Sequence, residues 1–110
     1  MKVEHFLEKG SNPLNEDQLL IKDNLFAVFD GMTSLTPYVD LEEHTGGFLA
    51  SSIAKKVFSK NDKPLQTLAH ETNERIKQEM LKKNIDLSKK ENLWGTAFAA
   101  LRIFQDHIEW

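Results

Sequence analysis

Asp17 and Asp30 are the residues of this 110-residue chain whose types and spacing could do chemistry together. Between them lie Gln18-Leu19-Leu20-Ile21-Lys22, then Asp23-Asn24, then Leu25-Phe26-Ala27-Val28-Phe29. The two apolar runs read as strands. Asp-Asn reads as a two-residue turn, the commonest hairpin connection, since both residues tolerate positive φ. Such a loop sets the register: Lys22 faces Leu25, Ile21 faces Phe26, Leu20 faces Ala27, Leu19 faces Val28 and Gln18 faces Phe29. Asp17 then lies directly opposite Asp30. Carboxylates paired across strands repel one another. A hard divalent cation offsets that repulsion, because Mg²⁺, Mn²⁺ and Ca²⁺ prefer carboxylate oxygens. The same pairing also serves two solvated strand ends, where either aspartate caps a turn.

The elements that must position this pair can be read along the chain. Val3 to Leu7 reads as a short first strand, and Gly10-Ser11-Asn12-Pro13 as a break. Leu25 to Phe29 is apolar on both faces, which predicts a central strand covered on both sides. Gly31 to Leu41 reads as a loop rich in Thr, Ser and Pro. Thr45 is placed to cap a helix running to about Ser59. Leu49, Ile53 and Val57, with Ala50, Ala54 and Phe58, form its apolar stripe, and Lys55 and Lys56 lie off it. Gly46 and Gly47 weaken the helix start and point to close backbone approach. After Asn61-Asp62-Lys63, a second helix is expected from Pro64 to about Lys83. Its buried face is Leu65, Leu68, Ala69, Thr72, Ile76 and Met80, and Glu74, Lys77, Gln78 and Lys82 are its solvated face. Trp94 to Phe104 predicts a strongly buried strand. Gln105-Asp106 reads as a hairpin turn, and His107-Ile108-Glu109-Trp110 starts another strand with Ile108 and Trp110 on one face. A stop on Trp110 in mid-strand points to partner strands supplied elsewhere, the alternative being that Trp110 packs over an edge and closes the fold.

Bulk composition bounds the function classes. The length suits one domain. The net charge of −3 and the lack of a basic stripe argue against nucleic acid. The chain has no cysteine, which excludes disulfides, Cys-ligated zinc and thiol nucleophiles. No signal peptide or membrane-length apolar run is visible, so a cytoplasmic protein with no membrane association is expected. Of the four histidines, none pairs at i, i+4. His70 reads as a surface or partly buried packing residue, and His44 as a cap or surface residue near the helix start that could also contact a substrate. Ser51-Ser52 read as close-packing residues. Thr33 and Ser34 could hydrogen-bond a phosphate or shape a turn.

Asn15-Glu16-Asp17, followed by Leu25-Phe26-Ala27-Val28-Phe29-Asp30-Gly31, resembles the metal-dependent Ser/Thr protein phosphatases (PPM, or type 2C). That family shows Asn-Glu/Gln-Asp, a short strand pair and an apolar strand ending in Asp-Gly. Thr45-Gly46-Gly47-Phe48-Leu49-Ala50-Ser51-Ser52 is similar to the start of its first long helix. Trp94-Gly95-Thr96-Ala97-Phe98-Ala99-Ala100-Leu101 is similar to its Gly-Ser/Thr-Thr-Ala strand. The likeness runs from about Gly10 to the end of the chain.

The resemblance implies an α+β fold, an antiparallel β-sandwich of two sheets flanked by helices, of which residues 1–110 form a partial domain. It implies two Mn²⁺ or Mg²⁺ ions and a metal-activated water that hydrolyses phosphate monoesters, with a phosphoserine or phosphothreonine protein as substrate. Asp30 would bridge the metals, the Gly31 carbonyl would bind one of them, and Glu16 and Asp17 would act directly or through water. Where the family commonly carries a phosphate-gripping Arg, this chain has Asn12. Where it has Asp-Gly-His/Met-Gly-Gly, this chain has Asp30-Gly31-Met32-Thr33-Ser34, as in a divergent bacterial branch with Asp-Gly-x-Thr. Asn12 and Thr33 are the candidate substrate contacts. The family's further metal aspartates lie in a C-terminal half. The alternative reading is therefore a catalytically incompetent half-domain or pseudophosphatase, acting as an interaction or regulatory module. It would pair with a missing C-terminal half or another chain.

Overall fold

The computed structural model describes residues 16–32 and 38–110. The Val3–Leu7 strand, the Gly10–Pro13 break, and the candidate substrate residues Asn12 and Thr33 lie outside the described residues.

Four strands form one antiparallel sheet in the order β1-β2-β3-β4. They are β1 (Asp17–Lys22), β2 (Leu25–Met32), β3 (Gly95–Ile103) and β4 (Ile108–Glu109). Between β2 and β3 the chain makes α1 (Gly46–Phe58) and α2 (Leu65–Lys82). The fold is thus a small α+β domain. Among the described residues there is one sheet, and a second sheet of the expected sandwich is not among them.

The β1–β2 hairpin has the register that the two-residue loop dictates, from Lys22↔Leu25 to Asp17↔Asp30. Asp23 takes φ 54° in the turn. Asn24 uses its side chain instead, donating from Nδ2 to the Ile103 carbonyl at 3.0 Å and so tying the turn to β3. β2 runs through Gly31 and Met32, beyond the expected end at Phe29, because β3 supplies partners in Thr96 and Gly95.

The register sorts the side chains into two faces. Leu20, Leu25, Ala27 and Phe29 share the helix-covered face and pack with Ala54, Val57, Phe58, Leu65 and Leu68. Phe29 and Phe58 meet edge-on with ring centroids 5.3 Å apart, a favoured aromatic geometry. A second cluster joins Ala50, Ile76, Met80 and Trp94. The α2 stripe is as its spacing predicts, with Leu65, Leu68, Thr72, Ile76 and Met80 buried. Thr45 caps α1, its side chain accepting from the Phe48 N–H at 3.1 Å. Any Cβ on Gly46 would run into the Trp94 indole, so this glycine permits the close approach anticipated for the helix start.

The other face of the sheet is open, which corrects two expectations. Val28 is 50% exposed, so β2 is covered on one side only. Ala97, Ala99 and Leu101 are exposed on the open face, and Phe98 on the helix side is itself 43% exposed, so β3 is not the strongly buried strand its composition implies. Both helices of the β2–β3 connection pack on the same side, and apolar residues at every position do not say which side they choose. Trp110 is 92% exposed and does not close an edge. No helix among the described residues is long and apolar enough to cross a membrane.

Candidate metal centre

Asp17 begins β1, and Asp30 sits near the end of β2, directly opposite it. Strand alternation directs both away from the helices, because each is one residue out of phase with the buried positions Leu20 and Phe29. The pair borders a shallow groove of about 440 Å³, lined also by Gln18, Val28, Phe29, Ala97, Phe98 and Ala99. Asp17 shows the cost of the juxtaposition. A hydrogen bond shared with Asp30, then burial, then the charges of Asp30 and Glu16 hold its carboxyl above the ordinary aspartate range. These are the conditions under which two carboxylates share a proton or take up a cation.

The adjoining backbone is tightly packed. The Gly31 N–H donates to the Glu16 carbonyl at 3.1 Å, and the buried Ser51 hydroxyl donates to the same carbonyl at 2.6 Å. A Cβ on Gly31 would collide with the Gly47 carbonyl, and would lie 2.6 Å from the Glu16 carbonyl. Thr96 donates from its hydroxyl to the Asp30 carbonyl at 3.2 Å. The aspartate-bearing strand ends are therefore clamped by α1 on one side and β3 on the other. Gln18, on the helix side of β1, donates to the Ser52 hydroxyl at 3.2 Å, so both serines of α1 serve packing.

Glu16 is placed differently from its neighbour. It is 5% exposed, and its Oε2 accepts from the Thr45 hydroxyl at 2.5 Å while lying against Gly47 in the first turn of α1. A carboxylate at a helix N-terminus is favoured by the helix dipole. Thr45 thus accepts from Phe48 and donates to Glu16, linking the cap of α1 to the start of β1. Of the four residues expected around a metal, the fold brings Asp17 and Asp30 face to face, sets Gly31 next to them in the strand, and anchors Glu16 against α1. Among the described residues, no group of three or more His, Cys, Asp and Glu is arranged to hold a metal ion.

His44 stacks on Phe48, with ring centroids 4.5 Å apart, and its Nδ1 lies 3.3 Å from Asp40. Backbone N–H groups of His44 and Glu42 hold the Asp40 carboxyl below its ordinary range. His70 is exposed on α2.

At the opposite end of the sheet stands a polar centre that the sequence reading missed. Arg102 is 8% exposed. Its guanidinium donates to Asn61 Oδ1 at 2.9 Å, to Glu109 Oε1 at 2.8 Å and to the Lys63 carbonyl at 2.7 Å. Glu109 Oε2 also accepts from the Leu65 N–H at 2.9 Å, capping α2, whose own N-cap residue is Pro64. The signal was present: a Gln105-Asp106 turn sets Arg102 opposite Glu109 by register alone, as observed.

Comparison with known proteins returns no matching family model, no matching curated protein and no matching solved structure.

Proposed function

We propose that this chain is a metal-dependent phosphatase-like protein that acts on phosphate monoesters of serine or threonine in proteins. The observation that carries the reading is the juxtaposition of Asp17 and Asp30 on the open face, with the Asp17 carboxyl raised by its partner. The residues fit one hard cation. Mg²⁺ is commonly bound through one or two carboxylates, with waters and substrate phosphate filling the remaining positions. Asp17 and Asp30 would hold it, and the resemblance adds the Gly31 carbonyl as a further oxygen donor. When bound, such an ion neutralises phosphoryl charge and lowers the pKa of an attacking water. The protein's own part is positional: Thr96, Ser51 and Gly31 hold the two strand ends in register. The type 2C family, with its two-sheet sandwich and two Mn²⁺ or Mg²⁺ ions, is the framework of this reading.

The experiment is a thermal melt with and without Mn²⁺ on the wild-type chain and Asp30→Asn, followed by a phosphopeptide turnover assay. A ligand that binds the native state alone stabilises it by about 2.7 kcal/mol at a hundredfold excess over Kd. A rise in melting temperature in the wild type that is lost in Asp30→Asn supports the site, and turnover supports the activity. Absence of any Mn²⁺ effect overturns both.

The second reading is a catalytically incompetent half-domain or pseudophosphatase. The engagement of Glu16 by Thr45 favours it, because two carboxylates rather than three then face the groove. Mn²⁺ stabilisation and phosphopeptide binding without turnover would select it.

A further inference from the structure

The open face of the sheet carries more exposed apolar surface than an isolated domain ordinarily leaves in water. Ile21 (39%), Val28 (50%), Met32 (52%), Leu101 (38%), Ile108 (56%) and Trp110 (92%) are all exposed. The register places the first five on this face, one residue out of phase with the helix-covered set, and Trp110 follows in the phase of Ile108. Together they expose on the order of 700 Å², against the ~300–600 Å² of the largest apolar patch on a typical monomer. Stable two-partner interfaces bury ~800 Å² per partner. Leu19, Phe26, Ala97, Ala99 and Ile103, on the same phase, supply the difference.

We propose that this face is the interface of a homodimer, in which two copies of the chain pack their sheets face to face about a twofold axis. The occupant is argued from area and charge. The patch suffices for a standard interface only if the partner presents a comparable sheet-sized apolar face, and a second copy does so by symmetry. Sheets stack in this way at ~10 Å with strand directions within ~30°. Among the described residues, the charged side chains that the register places on this face are Asp17 and Asp30, both at one end. Lys22 lies on the helix side, where it donates to the Ser59 carbonyl, and Arg102 and Glu109 face α2. A twofold axis crossing the strands puts the two acid pairs at opposite ends of the interface and apolar surface between them. An axis along the strands would stack four carboxylates, so the crossing axis is the arrangement assigned. The interface uses the sheet face and leaves the backbone edge of β1 uninvolved. It does not depend on the phosphatase reading.

The test is the mass of the full 110-residue chain in solution by sedimentation equilibrium across a hundredfold concentration range, with circular dichroism as a check on folding. The wild type is expected to be a dimer. Val28→Glu and, independently, Ile108→Lys should each shift it toward monomer by tenfold or more in dissociation constant while retaining a cooperative melt. Lys77→Glu, on the solvated side of α2, should leave the mass unchanged. A wild type that is monomeric throughout overturns the proposal, as would coverage of the face by the chain's own residues 1–15. A dimer that survives both face variants is paired along an edge and also overturns it. So does an open-ended series of larger species, since a closed twofold contact stops at two.

Discussion

The two ends of this sheet treat charge in opposite ways. At the β1-start end, Asp17 and Asp30 face each other as like charges on the open side, and the Asp17 carboxyl is raised as a result. At the other end, Arg102 is buried on the helix side and its donors meet Asn61, Glu109 and Lys63. A matched, buried ion pair ties elements together: Arg102 and Glu109 join β3, β4, the α1–α2 connection and the first turn of α2. A like-charged pair on the open face repels across the strands, and its arrangement gains from something positive. The contrast separates a structural charge cluster from a candidate binding site by the balance of its partners, without reference to residue type.

The largest effect is expected from breaking the matched end. Arg102→Met leaves Glu109 half-buried without its cation and removes the bridge to Lys63. We expect a loss of about 3 kcal/mol, the low end for breaking a buried pair, read as a fall in the urea midpoint without a change in slope. Gly31→Ala tests the clamp at the acid end. Its Cβ meets the Gly47 and Glu16 backbone, so the strand must shift. A destabilisation of about 2 kcal/mol and loss of any Mn²⁺ response should appear together. Thr45→Ala removes the α1 cap and the partner of Glu16 at once. It should cost about 1–2 kcal/mol, and the same melts should show whether Mn²⁺ binding changes once the Glu16 carboxylate is released.

The smallest effect has the opposite sign. Asp30→Asn removes a like-charge pair and should stabilise the metal-free protein at neutral pH by about 0.2–1 kcal/mol. The pH dependence follows from the direction of the Asp17 shift. A carboxyl raised in the folded state favours folding below its ordinary value of 3.8, and that contribution is lost as pH rises through the raised value. The advantage of Asp30→Asn over the wild type should therefore be largest near pH 7 and shrink on acidification toward pH 4, as thermal melts across that range would show. An advantage independent of pH would mean that Asp30 is not what raises the Asp17 carboxyl.

Much of the candidate site was legible because it depends on local rules. A two-residue Asp-Asn loop and a side-chain period of two place Asp17 against Asp30 with no tertiary information. The helix spans, the Thr45 cap and the need for glycine at position 46 follow equally from spacing and capping chemistry. Glu16 was less legible. Adjacent strand residues point to opposite sides, so Glu16 and Asp17 cannot both face the groove, yet motif likeness groups them. Arg102 reads as one charge in an apolar strand until the β3–β4 register is combined with the position of the α2 N-terminus.

The sequence by itself determined the hairpin register, the two helices with their buried stripes, and the pairing of two carboxylates, because each arises from short-range geometry. Only the tertiary structure decided which face of the sheet the helices cover. β2 and β3 are apolar on both sides, and periodicity carries no sign when both phases are apolar. That one choice places Asp17 and Asp30 in the open, buries Arg102, turns Glu16 toward α1, and leaves Val28 and Leu101 exposed.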